Sequence, residues 1–115
     1  MAYNEHLADR VREALASFPT LDERPKMGGL SFMIDDKLVV HVQDNDLMIR
    51  CEKTMTDELL DRPGARPYTM KGKGALKGWL LIDPGGTTRQ ADLMTWLTVT
   101  LTATAEAKVS RKQQG

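Results

Sequence analysis

The sequence has 115 residues, enough for one domain that buries roughly two-thirds of its unfolded surface without help from disulfides or metals. Hydrophobic residues make up 41% and charged residues 28%, which excludes a disordered chain. Sixteen Lys and Arg against sixteen Asp and Glu exclude attachment to DNA or anionic lipid by net charge, so any such binding needs a local patch.

The opening residues, MAYNEHLADR, lack the basic start and apolar run of a signal peptide, and no stretch approaches the roughly 18 apolar residues of a membrane span. A single cysteine, Cys51, leaves no intrachain disulfide and fits the cytoplasm. Leu7, Val11, Leu15 and Phe18 share one helical stripe, with Asn4 as the cap and Pro19 as the stop. Three strand-like runs follow. Leu30, Phe32 and Ile34 alternate with Ser31 and Met33; Leu38, Val40 and Val42 alternate with Val39, His41 and Gln43; Leu47, Ile49 and Cys51 alternate with Met48, Arg50 and Glu52. Tight polar turns at Asp35-Asp36-Lys37 and Gln43 to Asp46 join them into an antiparallel meander.

Thr54, with Asp57 three residues on, predicts the cap of a short helix through Leu59 and Leu60 that Pro63 ends. Arg62 to Lys77 reads as a long exposed loop carrying a short edge strand near Tyr68 to Met70. The run GWLLID, Gly78 to Asp83, is a fifth strand closed by the Pro84-Gly85-Gly86 turn. Thr98 to Thr104 alternate like a strand, but Leu93, Trp96, Leu97 and Leu101 recur at helical spacing across a longer window. Length decides for a helix from about 88 to 108, with Thr87 and Gln90 as its capping pair. Each threonine there costs about 0.6 kcal/mol relative to alanine, so packing of Trp96 and its neighbours has to stabilise the helix. The expected domain is 1–108, with 109–115 as a frayed tail.

Chemistry is sparse. Gly28-Gly29 precedes a strand and lacks the third glycine and following helix of a dinucleotide cradle, so the pair reads as a structural kink or bulge. His6, His41 and Cys51 show no metal-ligand spacing, and alternation sets His41 and Cys51 on opposite sheet faces, against a Cys-His nucleophile. A small core thiol and an exposed strand histidine are the simpler readings. No catalytic residue, metal or cofactor is indicated. Two features stand above this background. Arg62, Arg66, Lys71, Lys73 and Lys77 lie in one segment without an intervening acid, and could meet phosphates or an acidic protein; a solvated basic loop is the plainer alternative. Met33, Val39, His41, Met48 and Arg50 share one sheet face, which offers a partly apolar surface to a partner if the terminal helix does not cover it. Trp79 and Trp96 read as structural anchors.

The segments MAYNEHLADRVREAL, KMGGLSFMIDDKLVV, DLMIRC, GARPYTMKGKGALKGWLLIDPGG and ADLMTWL, in this order, resemble the TfoX/Sxy N-terminal domain found in bacterial regulators of competence genes. Members typically carry a phenylalanine where this chain has Met27, and Asn-Gly where it has Asp35-Asp36. The resemblance implies an α+β, two-layer fold: an antiparallel sheet of about five strands with N- and C-terminal helices packed against it, similar to secretion chaperones. It also implies a non-enzymatic regulatory role, in which such proteins assist a transcription activator, the cyclic-AMP receptor protein. Competence regulators of this kind carry a second, C-terminal domain that would begin where this sequence ends. The expected partner is therefore a protein, such as a transcription activator or a second copy of the chain. Direct nucleic-acid binding through the basic loop 62–78 is the alternative.

Overall fold

A computed structural model describes residues 3–26, 28–70 and 74–114. Helix α1 (Glu5–Ala14) is capped by Asn4, whose side chain accepts a hydrogen bond from the Leu7 amide at 3.0 Å. Leu7, Val11 and Leu15 are buried along its predicted stripe. The strands are β1 (Asp22–Lys26), β2 (Gly29–Ile34), β3 (Lys37–Gln43), β4 (Asp46–Arg50), β5 (Ala65–Met70) and β6 (Gly74–Ile82). A 3-10 turn (Lys53–Met55) and the short helix α2 (Thr56–Leu59) separate β4 from β5. A second 3-10 turn (Pro84–Gly86) leads from β6 into α3 (Gln90–Gln114), which runs past the expected end near 108. No described helix is long and apolar enough to cross a membrane.

All pairings are antiparallel, in the order β1-β2-β3-β4-β6-β5. The α+β architecture agrees with expectation, with six strands in place of about five. The added strand is β1, DERPK, whose charges and Pro25 carry no strand signal. A proline donates no ladder hydrogen bond, so it suits an edge, and β5 at the opposite edge carries Pro67. The edge strand expected near Tyr68 to Met70 is present as β5, starting at Ala65, but the long loop expected around it over 62–77 is corrected: β6 begins at Gly74 and pairs with β5.

Two rows of side chains crossing the sheet build its inner layer. Leu30, Val42, Leu47 and Ile82 pair in succession, as do Phe32, Val40, Ile49 and Leu80, and all eight are buried in one cluster with Leu7, Val11, Leu93, Trp96 and Leu97 from α1 and α3. Both long helices therefore lie on the same face. The β2–β3 turn has positive φ at Asp35 (54°) and Asp36 (63°), the two-residue geometry that matches the twist of a hairpin.

Neither expected capping box forms. Thr54 is exposed and lies inside the 3-10 turn, while the neighbouring Thr56 is buried and accepts from the Gly78 amide at 2.9 Å. Gln90 is the first residue of α3, too early for Thr87 to cap the helix from three positions back.

Candidate functional site: the uncovered sheet face

Side chains alternate along a strand, so the face away from α1 and α3 carries its own row. Arg24, Ser31, His41, Met48, Leu81 and Arg66 are paired in succession across all six strands. Met33 and Arg50 sit two residues beyond Ser31 and Met48 and share this face. Val39 does not. Phe32 pairs with Val40 but Met33 pairs with Leu38, so Val39 is an extra residue that bulges from β3, and it joins Val40 in the helix-covered core with no exposed surface.

His41 corrects a second expectation. It is 2% exposed, not solvated, and its Nδ1 lies 2.8 Å from the hydroxyl of Ser31, also 2% exposed. Among the described residues Nε2 has no partner within hydrogen-bonding distance, although the Gln43 side chain is near enough to favour the charged form. An orphaned lone pair costs less than an orphaned N–H against carbon, which favours the tautomer with the proton on Nδ1, donated to Ser31. The ring lies over Gly29: a Cβ added there would meet Nε2 at 2.7 Å and the Val42 carbonyl at 2.4 Å. Gly28 supplies the turn into β2 with φ of 80°. Backbone direction and side-chain approach thus account for both glycines without a ligand.

Burial, with a smaller contribution from the charge of Lys26, lowers the His41 pKa, against the opposing effect of Gln43. The unfolded chain protonates this histidine near pH 6.5 while the folded one holds it neutral to lower pH, so below about pH 7 the unfolded state binds more protons. Stability is full above the unfolded value and falls as pH drops, levelling off below the folded value. Urea midpoints measured between about pH 7.5 and 5 should decline more steeply in the native sequence than in His41→Leu. Equal slopes would exclude a buried neutral imidazole.

Met33 (6%) and Met48 (8%) are buried as well, so they form the floor of this face and not its accessible surface. Access lies toward β5 and β6. Met48, Tyr68, Leu76 and Trp79 line an apolar groove of about 240 Å³; a second recess of about 130 Å³ shares Met48 and Tyr68 and adds Gln43, Asp44, Asp46 and Leu81. The Tyr68 and Trp79 rings are 6.5 Å apart at 51°, and the Arg50 guanidinium lies 5.0 Å from the centre of the Trp79 ring. Trp79 is therefore a half-buried wall of the groove, whereas Trp96 belongs to the core at 2% exposure.

Acids from distant parts of the sequence meet the basic segment. Arg66 pairs with Asp46 at 2.9 Å and approaches Asp83 at 3.9 Å, Lys77 pairs with Asp57 at 2.9 Å, and Arg62 stacks on Trp96 with its guanidinium 5.6 Å from the ring centre. Lys71 and Lys73 lie outside the described residues. Cys51 is in the core, 3.6 Å from the Thr56 hydroxyl, and burial pushes its thiol pKa up, away from the thiolate that nucleophilic chemistry needs. His41 and Cys51 do occupy opposite faces. Sequence reasoning missed Tyr68, Leu76 and Leu81 as groove residues: Leu76 was expected in a loop, and although Tyr68 and Leu81 were expected in strands, nothing in the sequence paired those two strands with each other or placed them beside β4.

Comparison with known proteins agrees with this architecture. A crystal structure of a protein from Pseudomonas syringae superposes with a TM-score of 0.61, covering 84% of this chain and 97% of that one at 11% sequence identity, a likeness of fold alone. No curated protein matches the sequence. The sequence model of the TfoX N-terminal domain matches residues 13–104, which include every strand, both recesses of the groove and the first half of α3. The chain belongs to the TfoX N-terminal domain family.

Proposed function

We propose that this chain is a non-enzymatic, cytoplasmic regulatory domain that binds a protein, such as a transcription activator, through the sheet face its helices leave uncovered. The observation that carries this reading is the aromatic and methionine-lined groove between β4, β6 and β5, which is apolar, concave and bordered by charge. The groups able to make or break bonds support it by their placement. Cys51 is sequestered in the core, and the Ser31–His41 pair is buried with nothing holding Nε2 toward a substrate. The alternative of nucleic-acid binding through 62–78 loses support, since Arg66 and Lys77 are already paired with carboxylates and Arg62 is stacked on an indole.

Pull-down from a bacterial lysate, combined with sedimentation of the purified protein, tests the reading. Leu76→Asp, on the groove wall, should abolish capture of a partner, while Met94→Asp, on the exposed side of α3, should leave it intact. A strictly monomeric protein that captures nothing, or capture indifferent to Leu76→Asp, would overturn it.

A further inference from the structure

We infer that the groove recognises a linear segment of a partner protein in which a bulky apolar side chain is followed closely by Lys or Arg. This deepens the proposed function and rests on it. The two recesses share Met48 and Tyr68, so one occupant can fill both. The first is walled by Tyr68, Leu76 and Trp79 and accepts an aliphatic or aromatic anchor, with methionine as a compliant floor.

The second recess sets the charge of the occupant. Its two carboxylates differ: Asp46 is neutralised by Arg66 at 2.9 Å, whereas Asp44 has no ion-pair partner among the described residues. The backbone of Asp44 is held in place. It sits in the β3–β4 turn at φ of 54°, and its carbonyl accepts from the Asn4 amide. An unmatched carboxylate beside an apolar slot selects a cation on the incoming chain and repels an acid. Because both edge strands carry proline, docking proceeds through side chains on the face and not by adding a strand to the sheet. A second copy of the chain is a poor occupant. Met94, the exposed large apolar side chain of the described residues, lies on α3, and its insertion would join copies head to tail and not as a two-fold dimer.

The test uses the full chain, panned against a displayed library of random dodecapeptides. Selected sequences should be enriched in a bulky apolar residue with Lys or Arg beside it; no enrichment, or enrichment of acids, overturns the inference. Synthetic versions of the selected peptides are then titrated into protein carrying fluorotryptophan. The fluorine resonance of Trp79 should move and that of Trp96 should not; the reverse overturns the location. Asp44→Asn should weaken the basic peptide about threefold to fivefold and leave unchanged a peptide whose base is replaced by Gln. Equal effects on both overturn the charge assignment. Circular dichroism checks that each variant is folded. A library without binders, alongside lysate capture that Leu76→Asp still abolishes, removes this inference and leaves the broader reading standing. Capture indifferent to Leu76→Asp removes the broader reading itself.

Discussion

Replacing Gly29 with alanine is expected to cost about 3 kcal/mol or more, a fall of roughly 12 °C in Tm for a domain of this size. In most strand positions alanine would be neutral or favourable, since it narrows the unfolded ensemble and adds a side chain to pack. Here the added carbon would lie 2.4 Å from the Val42 carbonyl oxygen and 2.7 Å from His41 Nε2. The imidazole could rotate away, at the expense of its contact with Ser31, but the carbonyl belongs to β3 next to its pairing with β2. Relief therefore requires β2 and β3 to separate locally, and these are central strands whose inner side chains form the core. The double variant Gly29→Ala, His41→Ala separates the two contacts. It should recover part of the loss beyond the sum of the single changes, because the ring is gone, and not all of it, because the carbonyl remains. Thermal unfolding that leaves Gly29→Ala within about 0.5 kcal/mol of the native protein would show that the glycine answers to something other than close approach.

The same contact explains how much of the site could be read from sequence. Alternation placed His41 and Met48 on one face correctly, because period two is a local property that survives folding. It could not show that a histidine on a face without helices would be buried, which depends on Ser31 and Gly29 across the ladder. Val39 defeats the same reasoning in another way. Leu38, Val39 and Val40 are all apolar, so nothing in composition marks where the period slips, and the bulge turns Val39 to the core. Strand β1 was illegible because its stabilisation is tertiary: Glu23 accepts from Arg12 of α1 at 2.8 Å, and Arg24 reaches Asp36 in the next turn at 2.9 Å. The intramolecular partners of the basic segment were hidden for a related reason. Asp46, Asp57 and Asp83 are remote from Arg66 and Lys77 along the chain or outside the segment, and adjacent only once the sheet forms.

Two backbone irregularities shape the uncovered face. Trp79 reaches the open face opposite Arg50 just after Gly78, whose φ is 92° and whose amide is bonded to Thr56. On the other side, the bulge at Val39 draws β3 toward α3, leaving Met33 and His41 to the floor of the uncovered face. The helices therefore act on the open face indirectly, by fixing the strands that present it. The contact between α3 and the sheet does this although no described residue of α3 lines either recess of the groove.

That contact centres on Thr100, and Thr100→Val is expected to destabilise the fold by about 2–4 kcal/mol despite preserving shape. Thr100 has no exposed surface; its hydroxyl donates to the Val39 carbonyl and accepts from the Arg50 amide at 3.0 Å. Val39 is the bulged residue and Arg50 the last of β4, so both backbone groups stand where the regular ladder ends or slips. Valine would leave a carbonyl and an amide unpaired under the helix, and the desolvation cost of each remains. The neighbouring threonines provide the comparison. Thr98 and Thr102 donate only to carbonyls four residues back on the exposed side of α3, so Thr98→Val should change stability by less than about 0.5 kcal/mol. Thr100→Ser keeps the hydroxyl and should retain most of the stability. Hydrogen exchange adds a readout at a single site: the Arg50 amide should lose protection in Thr100→Val and keep it in Thr100→Ser and Thr98→Val. If Thr100→Val and Thr98→Val unfold at the same urea concentration, the helix is held by apolar packing alone and the hydroxyl has no structural part in it.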